Sequence, residues 1–295
     1  MTSSAVVFDS AVVESPVPGS TEATEASGAP GRGRVTVTRN GRRSVATRVF
    51  ATSPLRLLTP ANHGHAAWIY TSSYGGGLVD GDRVRIDLTI EAGAAAYVST
   101  QASTKIYRSP RGTRAELHGR VGADSLLIMA PDPVVCFAGA RYRQIQRFDV
   151  SEAGALVALD CVLSGRRAAG ERWAFAEYHS TTEITLGGRL LVLDALALRA
   201  ADGDLARRLG RFDALAVAVV AGRSLRAEAA DLVAAWSGRP VRRRADELMT
   251  ASPLGEHGCV LRVAGRSAEQ VGRTLREALQ FVPARLGDDP WIRKW

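Results

Sequence analysis

Residues Val84 to Glu91 alternate without exception: Val84, Ile86, Leu88 and Ile90 fall on one side, Arg85, Asp87, Thr89 and Glu91 on the other. A period of two over eight residues admits a β-strand with one buried face and excludes a helix, whose period is 3.6. This strand ends at Ala92-Gly93, and an apolar run, Ala96 to Thr100, follows it. The same succession returns at Val121-Gly122-Ala123 before Leu126 to Met129, at Ala153-Gly154-Ala155 before Leu156 to Leu163, and at Gly187-Gly188 before Leu190 to Leu193. Gly93, Gly122, Gly154 and Gly187 are separated by 29, 32 and 33 residues. Strand, glycine turn and strand at a near-constant interval predict a mainly β fold, layered or β-solenoid-like, of stacked hairpins that bury one another's faces. The competing reading is that Gly-Ala turns are common in any β protein.

Further elements flank this middle. Val35 and Val37 alternate with Thr36 and Thr38 before Asn40-Gly41, a hairpin signal, with Ser44 to Phe50 as the returning strand. About two helices are expected near the C-terminus. Arg226 to Trp236 is alanine-rich and closes at Ser237-Gly238; Ser267 to Val282 opens on an N-cap serine, aligns Val271, Leu275, Ala278, Leu279 and Val282, and stops at Pro283. Residues 1–30 contain Asp9, Glu14, Glu22 and Glu25 but no Lys or Arg, and read as a disordered tail ahead of a single domain, residues 31–295.

Charge and cysteine content narrow the function. The formal charge is +8, and 36 of the 38 basic residues are arginine, Lys105 and Lys294 being the exceptions. That balance permits an acidic protein, nucleic acid or an anionic surface as partner. Cys136, Cys161 and Cys259 are too far apart for a C-x-x-C pair, which points to a reducing compartment. The start of the chain lacks the basic-then-apolar pattern of a secretory leader, and no apolar run approaches membrane-spanning length, so the expected location is the cytoplasm. Neither lysine follows a glycine, which removes the P-loop; the glycines of Tyr74 to Asp82 lead into a strand and not a helix, which removes the Rossmann fingerprint.

Four segments could carry chemistry. Asp80 and Asp82 close the Gly75 to Asp82 loop as turn formers or as hard oxygen ligands, and Ser99 to Arg108 is a dense polar run that could line a path or form an edge strand. Asp132 is held between Pro131 and Pro133, ahead of Cys136, which reads as a small buried hydrophobe or a soft ligand. His63-Gly64-His65 offers two imidazoles, fewer than a structural metal site needs.

These segments resemble the urease accessory protein D family (UreD, called UreH in some organisms). The resemblance rests on Gly76-Gly77-Leu78-Val79-Asp80-Gly81-Asp82, on Thr100-Gln101-Ala102-Ser103-Thr104-Lys105-Ile106-Tyr107-Arg108, on Pro131 through Phe137 to Gly139-Ala140-Arg141, and on Gly165-Arg166 to Gly170-Glu171. It covers Asn62 to Leu198 well and the C-terminal helix and Trp291 to Trp295 weakly; Pro131-Asp132-Pro133 departs from the Gln-Glu that many relatives carry after the first proline. The resemblance implies a scaffold that is not an enzyme, with a predominantly β fold. It would bind apo-urease and urease accessory protein F, which recruits the nickel-carrying GTPase accessory protein G, and it leaves a dimer within the accessory complex open. It implies no permanently bound cofactor, with Ni²⁺ in transit along a polar route. On this resemblance Asp80, Asp82, Asp132 and Glu171 are candidate route residues, and Gln101, Thr104, Lys105, Tyr107, Arg108 and Arg141 candidate interface or tunnel residues. Neither nucleic acid nor a membrane is an expected partner. Two competing readings remain: a basic β protein that binds nucleic acid, motivated by Arg207, Arg208 and Arg242 to Arg244, and a hydrolase with a dispersed triad around a residue such as His179.

Overall fold

The computed structural model describes residues 30–292, so the expected tail lies outside the described residues apart from Pro30, as do the last three residues. β1 (Gly31–Asn40) and β2 (Arg43–Ala51) form the predicted hairpin, with Asn40 opposite Arg43 across the Gly41-Arg42 turn. β3 (Leu55–Leu58) and β4 (Ala67–Ser73) pair antiparallel. The chain then winds through β5 (Arg83–Ile90), β6 (Ala95–Thr100), β7 (Thr104–Ile106), β8 (Thr113–Val121), β9 (Leu126–Met129), β10 (Val134–Cys136), β11 (Arg141–Val150), β12 (Ala155–Leu163) and β13 (Glu177–Leu186). β14 (Arg189–Arg199), β15 (Ala214–Gly222), β16 (Glu247–Pro253) and β17 (Gly258–Gly265) complete the strands.

Two sheets result. One runs β14-β13-β11-β8-β5-β1-β2; the other runs β16-β17-β15-β12-β9-β6-β4-β3. The mainly β, layered architecture is therefore present, and its connections sharpen the repeat. At Gly93, Gly122 and Gly154 the chain does not fold back on its own strand but crosses from the first sheet to the second, so β5, β8, β11 and β13 pair in parallel with one another, as do β4, β6, β9 and β12. Only Gly187-Gly188 closes a true hairpin, between β13 and β14. The crossings stack tightly. A Cβ on Gly122 would sit 2.8 Å from the Ala92 nitrogen, and one on Gly154 would sit 2.9 Å from the Gly122 carbonyl oxygen, so each turn packs backbone against backbone with the next. That contact explains why glycine recurs once per coil.

Burial follows the pattern of each sheet. β5 alternates between exposed and buried residues, its inner face (Ile86, Leu88, Ile90) packing against Leu127, Met129 and Leu156 of the second sheet. The second sheet is covered on both sides: Leu127 and Met129 face the first sheet, while Ile128 and Val157 face a helical layer. Parallel strands buried on both faces lose their alternation, which is why β9 and β12 read as continuous apolar runs. The helical layer consists of α2 (Arg226–Trp236), α3 (Ala268–Ala278) and α4 (Val282–Leu286), whereas the short α1 (Leu205–Leu209) packs Leu205 into the core between the sheets. Leu232 and Trp236 of α2, Leu275 of α3 and Val282 and Leu286 of α4 pack in the second core. The predicted N-cap is present, Ser267 accepting from the Gln270 amide at 3.2 Å. Pro283 does not end a helix but occupies the first turn of α4, where its missing N–H costs nothing. Among the described residues no helix is long and apolar enough to cross a membrane.

The turn stack gives a direct test. Gly154→Val would force its side chain against the Gly122 carbonyl and Val150. We expect a loss of about 1–3 kcal/mol, read as a lower urea midpoint with unchanged slope.

Candidate functional site

All four motif segments lie at the end of the sandwich opposite the glycine turns, in the loops that return each coil from the second sheet to the first. They stack as the strands do. Leu78 donates its amide to the Lys105 carbonyl at 2.8 Å, and Tyr107 donates to the Leu78 carbonyl at 3.0 Å. β7 pairs in parallel with β10, and β10 with the end of β12. Gly77 is required by this closeness, since a Cβ there would meet the Lys105 carbonyl oxygen at 2.6 Å and the Tyr107 ring at 2.8 Å. The Tyr107 ring stands edge-on to Phe137 at 5.1 Å, and the Arg166 guanidinium lies 4.1 Å above Phe137.

Within this layer the candidate carboxylates divide. Asp80 accepts from the Arg111 amide at 2.8 Å and from Arg111 Nε at 2.9 Å. Burial pushes its pKa up, but the Arg111 hydrogen bonds and charge outweigh this and hold it below the ordinary value. Asp82 accepts from the Val79 amide at 2.8 Å and so closes its own turn. Glu171 accepts from Arg166 Nε at 3.0 Å and from the Ala138 amide at 3.2 Å; the Arg166 bond, above all, lowers its pKa. Asp132 is different: it accepts from Thr100 Oγ1 at 3.0 Å and lines a cavity of about 270 Å³ between the sheets. Gln101 and Thr104 line the same cavity. Lys105 and Arg108 are exposed, Arg108 with its stem over Gly139, and Arg141 pairs with Glu177 at 3.0 Å on the outer face of the first sheet. Of the sequence candidates, the structure thus brings Asp132, Gln101 and Thr104 to one cavity and gives Asp80, Asp82 and Glu171 partners in the loops around it.

The cavity's inner end is built from residues that motif reading missed. Asp160 of β12 points into it and accepts from Gln144 Nε2 at 3.1 Å and from the Ser180 hydroxyl, with Tyr178 at 3.5 Å. Gln146 and Thr182 continue this polar layer. Burial dominates and raises the Asp160 pKa above the ordinary value of 3.8; the hydrogen bonds from Ser180 and Gln144 oppose that shift, and Asp194 adds to it. Two signals for these residues exist in the chain: Asp160 is the one charge in the run Ala155–Leu163, and period two places Gln144 and Gln146 on the face of Tyr142 and Phe148. Among the described residues no three His, Cys, Asp or Glu side chains converge to hold a metal. Cys136, Cys161 and Cys259 are buried, and burial pushes the Cys259 thiol up to about 11. His63 and His65 use their amides to tie their loop to Asp288 and to the end of α4. His179 stands on the outer face of the first sheet, 2.6 Å from Glu177, whereas its neighbour Ser180 faces inward to Asp160.

The class defined by this arrangement is a coiled β scaffold whose stacked-loop end opens onto a cavity in which a few polar side chains stand among apolar walls. Residues 29–295 match the family model described as UreD urease accessory protein, and the chain belongs to that family. It is 48% identical over 268 residues to the urease accessory protein UreD of Sorangium cellulosum (strain So ce56), covering 91% of this chain and 85% of the relative. It is 45% identical over 266 residues to that of Anaeromyxobacter sp. (strain Fw109-5), covering 89% of both chains. The urease accessory protein D of Arabidopsis thaliana is 32% identical over 290 residues, covering 88% of this chain and 99% of the relative.

Asp160 and Glu171 should leave opposite marks on stability. A raised folded pKa means that the folded state holds a proton longer, so Asp160 lowers stability as pH rises from about 4 through its folded value. Glu171, with a lowered pKa, contributes above about pH 4.5 and loses that contribution as pH falls. Thermal unfolding across pH should therefore show Asp160→Asn gaining on the parent toward neutral pH, and Glu171→Gln losing to it there while converging in acid.

Proposed function

We propose that this protein is a urease maturation scaffold of the cytoplasm. It binds apo-urease together with urease accessory protein F, and its interior passes Ni²⁺ brought by the GTPase accessory protein G toward the urease site. The observation that carries this reading is Asp160, a carboxylate of raised pKa at the inner end of a cavity that Asp132 also lines, together with hydroxyls and amides set among apolar walls. Oxygen donors hold a hydrated divalent ion loosely, whereas thiolate or multi-imidazole cages retain it. A cation entering the cavity favours the deprotonated Asp160, so uptake releases a proton and departure restores the neutral acid. The empty passage then need not keep a bare buried charge, which is expensive in an apolar interior. Asp132, Gln101 and Thr104 stand nearer the loops and form the entrance.

Exposed apolar side chains at the same end support protein docking there. Tyr74 is 57% and Val79 53% exposed, and they flank Gly76 and Gly77, which line the cavity. Solvent-facing apolar groups beside an opening are what an interface that continues the passage into a partner requires. This scaffold catalyses no reaction of its own; its specificity lies in which proteins meet at the opening.

The test is urease activity and nickel content in a host carrying the matching urease genes. Asp160→Asn and Gln144→Leu should leave this protein soluble and bound to urease but leave most urease without nickel. Asp80→Asn, at a turn outside the cavity, should retain most activation. Full nickel loading in soluble Asp160→Asn would overturn the interior route. Loss of urease binding in Val79→Asp, with the fold intact by circular dichroism, is expected if the loop end is the docking surface.

A further inference from the structure

Two connections at the loop end, the one before β15 and the one before β16, lie side by side and carry arginines that the fold does not match with acids. Glu247 at the start of β16 pairs with Gly265, Gly265 with Ala214, and Ala214 with Leu163 at the end of β12. Three strand spacings, about 14 Å, therefore separate Glu247 from the end of β12 on one level. Residues 237–246, which join α2 to β16, are held at their base. Arg239 lies 3.6 Å over the Trp236 ring and donates from Nε to the Ala235 carbonyl at 3.0 Å. Arg211, itself 4.5 Å over the Phe212 ring, donates from Nε to the Ala245 carbonyl at 2.5 Å. The Ala245 amide closes a turn onto the Arg242 carbonyl at 3.0 Å. The pinned loop presents Val241, 75% exposed, followed by the exposed Arg242, Arg243 and Arg244. Arg207 and Arg208 of α1, also exposed, stand four and three residues before Arg211.

The acids closest along the chain are engaged elsewhere. Asp204 caps α1 by accepting from the Arg207 amide at 3.0 Å, Asp213 meets Arg172 at 2.6 Å and Arg167 at 3.1 Å, and Asp246 meets Arg266 at 2.9 Å. Arg207, Arg208, Arg242, Arg243 and Arg244 make no ion pair with a described residue. Like charges gathered in one lobe repel one another, and an anionic surface from outside the fold relieves them. Guanidinium groups suit carboxylates, which they grip with two parallel bonds. A nucleic-acid strand is also anionic, but it draws on open ring faces where its bases stack. Both rings of the lobe are covered, Trp236 being buried beneath Arg239 and Phe212 lying under Arg211. An exposed valine at the head of the arginines fits an apolar recess, which a protein surface provides and a phosphate backbone does not.

We propose that this lobe docks a protein surface that sets an apolar recess for Val241 among carboxylates for the arginines around it. The lobe stands at the end of the sandwich where apo-urease is taken to dock, and the assignment rests on that reading: the docked apo-urease extends from the cavity mouth past β12 and meets the lobe with acidic side chains. Charges at the edge of an interface set the rate and orientation of encounter more than the final affinity. A loop already pinned at its base loses little freedom when it is covered. The lobe thus orients the partner over the mouth before the apolar contacts at Tyr74 and Val79 close.

Binding kinetics of the full chain on immobilised apo-urease, purified without nickel from the matching urease genes, test it. At about 0.05 M salt, Arg242→Glu with Arg243→Glu and Arg244→Glu should lower the association rate at least about tenfold, and the deficit should close toward about 0.5 M. Arg120→Glu with Arg189→Glu and Arg223→Glu, exposed and at the glycine end, change the net charge equally and should cost less than about threefold. Val241→Ser should leave association unchanged and raise the dissociation rate several-fold. All three variants should keep the parent's circular dichroism and Tm, the substituted side chains being exposed. A lobe variant that associates like the parent at low salt, or control reversals that cost as much, would overturn the proposal and leave the docking reading in place. A parent that does not bind apo-urease at all would overturn both. Loss of binding to a single strand of about 20 nucleotides, with apo-urease association unchanged, would assign the lobe to nucleic acid and overturn the proposal as well.

Discussion

Every coil depends on one contact: the stacking of backbone on backbone where the chain crosses between sheets. A strand that leaves its sheet at a crossing cannot pair with the strand that follows it, so its hydrogen bonds must come from the coils before and after. In-register parallel pairing from β5 through β8 and β11 to β13 supplies them, and it holds only if successive crossings are equally tight. Gly122 and Gly154 provide that tightness because no side chain fits between one turn and the next. The two hydrophobic cores on either side of the second sheet follow from this winding.

The two ends of such a coil cannot be alike. At the glycine end the crossings are short, four residues each between β5 and β6, β8 and β9, and β11 and β12. At the other end each return must span a longer distance, and the returns form a layer of their own through β7 and β10. Apolar packing between the sheets stops short of this layer, and the space is filled by Asp160, Gln144, Ser180 and Thr182. Gln144 and Ser180 bond across to Asp160 on the facing sheet and Thr182 pairs with Gln146 on its own, which offsets the cost of removing these groups from water. The polar interior is thus a product of the same winding that makes the core, placed where the loops can admit solvent and ions.

How much of this the sequence discloses differs by element. The hairpin at Asn40-Gly41, the strand Val84 to Glu91 and helix α2 follow from local pattern, because local geometry and tertiary burial agree at those places. The crossings do not: a glycine turn between two apolar runs looks the same whether the runs pair with each other or with strands some thirty residues away, and only the fourth pairs locally. For the site, motif membership led to the loops, and the loops do surround the cavity. It overweighted carboxylates such as Asp80 and Glu171, whose arginine partners are invisible in a linear pattern, since Arg111 lies 31 residues from Asp80. Asp160 escapes a motif reading for the converse reason, being alone in an apolar strand where no motif marks it.

Charge on this molecule is segregated by the register as well. Strands paired in parallel and in register place equivalent positions side by side, so a residue type repeated at the start of each coil becomes a row across the sheet. Arginine at the start of β5 and β8 and early in β11 therefore makes a field that no single strand would suggest. The interior works by the opposite rule, with Asp160 held among the neutral donors Gln144 and Ser180. A cation nearing the outer face is repelled, whereas the cavity at the loop end sets the carboxylates of Asp132 and Asp160 among apolar walls. The same in-register winding that makes the arginine row thereby separates a basic outer surface from an interior whose buried charge is acidic.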